Sequence, residues 1–75
     1  MTAVAHQLTA PEAHAICTVL AAVEHIPVTV EIADKSGQVD IWPARVLTVL
    51  EEVTAIRAVA ATTDARICWH ERTTA

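Results

Sequence analysis

The segment from Pro27 to Trp42 alternates apolar and polar residues on both sides of a short polar break that holds the chain's only glycine. Successive side chains of a strand point to opposite faces, so this pattern predicts a β-hairpin with a four- or two-residue turn within Asp34–Gly37. Its apolar row consists of Val28, Val30, Ile32, Val39 and Ile41. A shift of one residue would set Ile32 beside Asp40, so we expect Ile32 to lie beside either Val39 or Ile41.

Two amphipathic helices are predicted to flank the hairpin. Thr9 and Glu12 have the spacing of a capping box, which predicts a first helix over about Ala10–His25. Pro43 suits the first position of a second helix, which we expect to end near residue 60. The apolar arcs predicted to be buried are Ala13, Ile16, Val19, Leu20 and Val23 in the first helix, and Val46, Val49, Leu50, Val53, Ile56 and Ala60 in the second.

A third strand is predicted over residues 65–72, where Ile67 and Trp69 alternate with polar residues and are expected to face the core. A right-handed crossover makes this strand parallel to the second hairpin strand, which lets it pair antiparallel with the first. Residues 2–8 also alternate and are expected to form either an extra strand or a flexible arm. Residues 73–75 should fray, as free termini commonly do.

These elements predict a single α+β domain spanning residues 1–75. We expect a small two-layer sandwich, with two helices on one face of a three- or four-stranded, mostly antiparallel sheet. The element order is αββαβ, or ferredoxin-like βαββαβ if residues 2–8 form a strand. Either arrangement leaves a sheet edge open to another chain.

The composition favours self-association and disfavours several partner classes. A 75-residue chain without Phe or Tyr has little material for a core, so a partner subunit is expected to add stability. The net charge of −4 argues against nucleic acid as a partner. We expect no membrane span, and Cys17 and Cys68 do not resemble a disulfide framework, so a cytoplasmic location is expected.

Candidate chemistry is sparse. No GxSxG elbow, HExxH motif or glycine-rich phosphate loop occurs, so the sequence predicts no enzyme and no cofactor. Cys68 and His70 lie two residues apart and would share one strand face, which makes them candidate metal ligands. Zinc requires four converging ligands, and no paired ligand motif accompanies these two residues, so we expect no bound metal.

The leading hypothesis is a small cytoplasmic protein-binding module that acts as a homodimer, through an open sheet edge or the outward hairpin face. Its candidate partner-binding residues are Trp42, Thr29, Glu31 and Asp40. Strand parity points Trp42 outward, where it suits an interface, unless the strand has ended and the indole folds back over the second helix. One alternative is a regulatory domain that binds a small metabolite at a subunit interface; another is an acidic, phage-borne inhibitor of a nucleic-acid-handling machine.

Overall fold

The computed structural model describes residues 7–71 and confirms the α+β class. Its elements in chain order are α1 (Ala10–Val19), a π-helical turn (Leu20–Glu24), β1 (Val28–Ile32), β2 (Val39–Pro43), α2 (Val49–Ala60) and β3 (Ile67–Trp69). Within residues 7–71, neither helix has the length and apolar character needed to cross a lipid bilayer.

The three strands form a mixed sheet in the order β1-β2-β3. β2 pairs antiparallel with β1 and parallel with β3. The sheet is therefore mixed and not mostly antiparallel as predicted. β3 lies beside β2 and does not pair with β1, because the α2 crossover returns the chain directly beside the strand it left. In a ferredoxin-like sheet the N-terminal strand would lie at this position beside β2. The ferredoxin-like arrangement is not confirmed.

The hairpin has one of the two predicted registers. Ile32 pairs with Val39, so the apolar rows of β1 and β2 lie on the same face. The Ala33 amide donates to the Gln38 carbonyl at 2.9 Å and closes a four-residue loop. Gly37, with a φ of 70°, ends that loop in the left-handed conformation that glycine adopts without strain.

Both helices pack against the apolar face of the sheet. The main core cluster combines residues of the α1 region, β2 and α2: Leu8, Ala13, Val39, Ile41 and Val59. A second cluster consists of Leu20, Ile26 and Ala55. Half-buried Trp69 packs against both clusters, which confirms its predicted place in the core. The opposite face of the sheet carries the polar rows of the strands.

The first helix begins as predicted but ends differently. Thr9 and Glu12 form both bonds of the capping box. After Val19 the helix widens into a π-helical turn, and His25 terminates it in the left-handed conformation with a φ of 58°. Val19 and Val23, predicted to be buried, are 55% and 65% exposed. The buried side chains of this helical segment are instead Ala13 and Leu20.

The second helix starts six residues later than predicted. Pro43 is not its first residue but the last residue of β2, paired with Val28. β3 pairs only with residues 39–41, so the missing amide hydrogen of Pro43 removes no bond to β3. The helix instead begins after Thr48, whose hydroxyl accepts from the Glu51 amide while the Glu51 carboxylate accepts from the Thr48 amide.

This later start changes which residues of the second helix are buried. Val46, Val49 and Leu50 were predicted in its apolar arc but are 54%, 77% and 76% exposed. Ala55, predicted on the solvent side, is fully buried together with Val59. The helix is thus buried through its second half, and its first turn extends beyond the core.

Residues 1–6 and 72–75 lie outside the described part of the chain. The N-terminal strand or arm predicted for residues 2–8 lies outside the described residues except for Gln7 and Leu8, neither of which is in a strand. The predicted frayed tail, residues 73–75, also lies outside them. β3 is shorter than the predicted strand over residues 65–72, of which residues 65 and 66 precede it.

Arg45 connects the end of the first helical segment to the start of α2 through an ion pair and a hydrogen bond. Arg45 Nη2 donates to Glu51 Oε2 at 2.8 Å and to the His25 carbonyl at 3.0 Å. The hydrogen bond from Arg45, followed by that from the Thr48 amide, lowers the pKa of Glu51 from 4.5 to about 2. The sequence pattern did not reveal this contact.

We predict that this pair makes stability depend on pH below 4.5. The folded-state pKa of Glu51 lies below its ordinary value, so the ionised carboxylate stabilises the fold above pH 4.5 and this contribution is lost as pH falls toward 2. Glu51→Gln should therefore flatten the fall in melting temperature between these pH values, measured by circular dichroism. Glu52→Gln removes the same charge next to the pair and should keep the wild-type slope. Parallel curves for Glu51→Gln and wild type would contradict the prediction.

Candidate functional site

The sheet face opposite the helices, here called the outward face, carries all the candidate partner-binding residues and metal ligands predicted from the sequence. The hairpin register places Thr29 beside Trp42 and Glu31 beside Asp40. The parallel pairing of β2 and β3 places Cys68 beside Asp40 on the other side. The predicted site residues that share this face are Thr29, Glu31, Asp40, Trp42, Cys68 and His70.

Trp42 is the largest apolar group on the outward face. Trp42 is 46% exposed. Its ring stacks on that of His70, with a centroid distance of 3.8 Å and an interplanar angle of 6°. Of the two orientations considered from the sequence, the structure therefore shows the outward one. The stack brings the two rings face to face.

Asp40 lies at the centre of a hydrogen-bonded group. His70 Nε2 lies 3.0 Å from Asp40 Oδ1, and Gln38 Nε2 donates to the same oxygen at 3.0 Å. The hydrogen bond with His70 has the larger effect and that with Gln38 the next, and together they hold the pKa of Asp40 below its ordinary value. Both use Oδ1, so neither occupies Oδ2.

Cys68 completes a group of three metal-capable side chains. Donor atoms of Asp40, Cys68 and His70 all lie within 4.8 Å of one another, and the three residues are half-buried. Sequence reasoning paired Cys68 with His70 but placed Asp40 only among the partner-binding residues. The missing signal was strand order, because Asp40 joins the other two only when β3 pairs with β2.

The same three side-chain types occur in nucleophilic catalysis, but their setting here differs. A catalytic thiol needs a base, an orienting group and hydrogen-bond donors that stabilise the developing oxyanion, usually inside a pocket. Among residues 7–71, neither helix covers the sheet face on which the cluster lies.

A separate groove of about 670 Å³ lies between α1 and β1. Apolar residues of both elements line it together with His14, Cys17, Thr29 and Asp34. The groove is open to solvent. A small ligand in it would keep much of its hydrated surface, whereas typical small-molecule pockets bury most of their ligand.

No family model, curated protein or solved structure matches this chain.

Proposed function

We propose that this chain is a small, non-catalytic protein-binding module that works in the cytoplasm and pairs with a second copy of itself through the outward face. The observation that carries the proposal is Trp42, 46% exposed on a sheet face that neither helix covers. Cys17 and Cys68 are both free thiols, which is consistent with a reducing compartment.

Trp42 has the properties of an interface anchor. Tryptophan is enriched among the residues that dominate binding energy, since one ring buries a large area. Ordering a side chain on binding costs free energy, and the stack on His70 has already restricted this one. A partner that covers Trp42 would therefore gain burial with little further loss of entropy.

The charges of the outward face are compatible with a second copy as the partner. Glu31 and Asp40 give the face two carboxylates, and strand alternation puts the exposed cation Arg66, two residues before Cys68, on the same side. A two-fold axis sets each surface patch against the same patch of the partner, so opposite charges on one face can pair across it. Two copies that each carry a net charge of −4 repel one another overall, so the acidic groups alone would not hold a dimer together.

The alternatives have weaker support. The outer edge of β1 has no strand beside it among residues 7–71, so strand addition there is a second route to the same dimer. A metabolite would use the groove between α1 and β1, which is open to solvent, and only acidity supports an inhibitor of nucleic-acid-handling machines.

Analytical ultracentrifugation tests the proposal directly. Over a micromolar concentration series, the full chain should sediment with the mass of two copies at the upper end and dissociate on dilution. Nuclear magnetic resonance of the same sample should place the largest concentration-dependent shifts at Glu31, Asp40 and Trp42. A monomer at every concentration would rule out the homodimer, and shifts confined to the groove would move the interface away from the outward face.

A further inference from the structure

We propose that Asp40, Cys68 and His70 form a binding site for a late first-row divalent cation, with Zn²⁺ as the ion that best fits the donors. The site goes beyond the proposed protein-binding function and does not depend on it. It replaces the expectation, drawn from the sequence alone, that Cys68 and His70 bind no metal.

Strand pairing brings the three donors together. Asp40 and Cys68 are direct partners across the parallel β2-β3 pair, and His70 follows two residues later on the same face. His70 already reaches back to Asp40, with Nε2 3.0 Å from Oδ1. Just after β3, the His70 amide donates to the Ile41 carbonyl at 3.0 Å, so the backbone holds residues 68 and 70 beside Asp40.

The spacing of the donor atoms is close to that of a zinc centre. The three atoms lie within 4.8 Å of one another. Zinc bond lengths of about 2.0–2.3 Å in a tetrahedral arrangement place donors about 3.3–3.8 Å apart. The difference is at most about 1.5 Å, a distance that the rotation of a side chain can cover.

The donor chemistry selects the class of ion. A thiolate and an imidazole favour zinc and its neighbours among the transition metals, whereas magnesium and calcium prefer sites made of oxygen donors. The thiol of Cys68 would release its proton to the buffer when its sulfur binds the ion. With three protein ligands, the fourth tetrahedral position is left to water, as in open zinc sites.

Two neighbours hold the ligands in place. Gln38 donates to Asp40 Oδ1, which leaves Oδ2 available to the ion while the carboxylate stays oriented. Trp42 covers one face of the His70 ring, but a metal bonds to an imidazole nitrogen in the plane of the ring, so the stack does not obstruct it. Such outer contacts typically change metal affinity 10- to 100-fold.

Cobalt titration of the 75-residue chain, reduced and stripped with a chelator, tests the site. Co²⁺ bound to a thiolate gives a sulfur-to-metal charge-transfer absorption, and we expect this band to saturate at one ion per chain and to disappear when Zn²⁺ is added. Cys68→Ser should abolish the band, and Cys17→Ser, which removes the other thiol, should leave it unchanged. Asp40→Asn should weaken binding at least about 100-fold, since it alters a direct ligand.

A second measurement on the wild-type chain avoids any effect of substitution on folding. Zn²⁺ should slow alkylation of Cys68 but not of Cys17, as followed by peptide mass spectrometry at constant chain concentration with and without the ion. Equal protection of both thiols, no protection of either, or a charge-transfer band that survives in Cys68→Ser would each overturn the proposal.

Discussion

Ile41→Ala lowers the free energy of unfolding by about 2–5 kcal/mol, the range for truncating a fully buried aliphatic side chain. Ile41 has no exposed surface and lies in the central strand, between β1 and β3. A 75-residue domain typically has a stability of roughly 4–11 kcal/mol, so the variant should lose a large share of it. Urea unfolding followed by circular dichroism measures the change.

Val49→Ala is the matched control for this experiment. Val49 was expected in the core from the sequence, yet the structure leaves it 77% exposed in the first turn of α2. Its truncation should change stability by less than about 0.5 kcal/mol, since it removes little buried surface. A loss at Val49 as large as that at Ile41 would show that α2 packs as the sequence pattern predicted.

Trp42→Ala should weaken self-association about 30-fold or more while the domain stays folded. Truncation of a central interface residue commonly costs about 2 kcal/mol or more of binding free energy, and 1.4 kcal/mol corresponds to a factor of ten. The substitution also removes the stack on His70, an effect on stability of about 0.5–1.5 kcal/mol. Sedimentation equilibrium measures the association, and a thermal melt measures the stability.

Leu50→Ala tests whether self-association uses a specific interface or any exposed apolar side chain. Leu50 is 76% exposed but belongs to α2, which packs on the opposite side of the sheet from Trp42. Its loss should leave the dissociation constant unchanged. If Trp42→Ala leaves association intact but lowers the melting temperature strongly, Trp42 supports the fold and does not form the interface.

The hairpin could be predicted from the sequence because its information is local. Strict alternation sets the faces of both strands, and only registers that keep Ile32 with the apolar row of β2 bury that row. The same locality explains the success at Thr9 and Glu12, whose capping box involves residues three apart. In these segments, short-range patterning and tertiary packing favour the same structure.

The second helix could not be placed so well, because two start signals compete. Pro43 suits the first turn of a helix, but Thr48 and Glu51 form a second capping box five residues later. The pairing of Pro43 with Val28 extends β2 and selects the later start. The T-x-x-E pattern at 48–51 is the signal that would have found it.

The candidate site required information that no local pattern contains. Cys68 and His70 are neighbours in sequence, but Asp40 joins them only through the parallel pairing of β2 with β3. Pairing of β3 with β1, which parity equally allowed, would have set Cys68 beside a different strand. The order of strands in a sheet depends on the crossover and on packing across it, so it emerges only with the whole fold.

The two tryptophans of this chain report on different events. Trp69 packs into the core, while Trp42 lies on the outward face, and the chain contains no tyrosine or phenylalanine. Protein fluorescence therefore comes from these two indoles alone. In a variant that keeps only Trp69, emission follows unfolding; in one that keeps only Trp42, it follows contacts at the outward face. A single optical method can thus observe folding and binding separately in this protein.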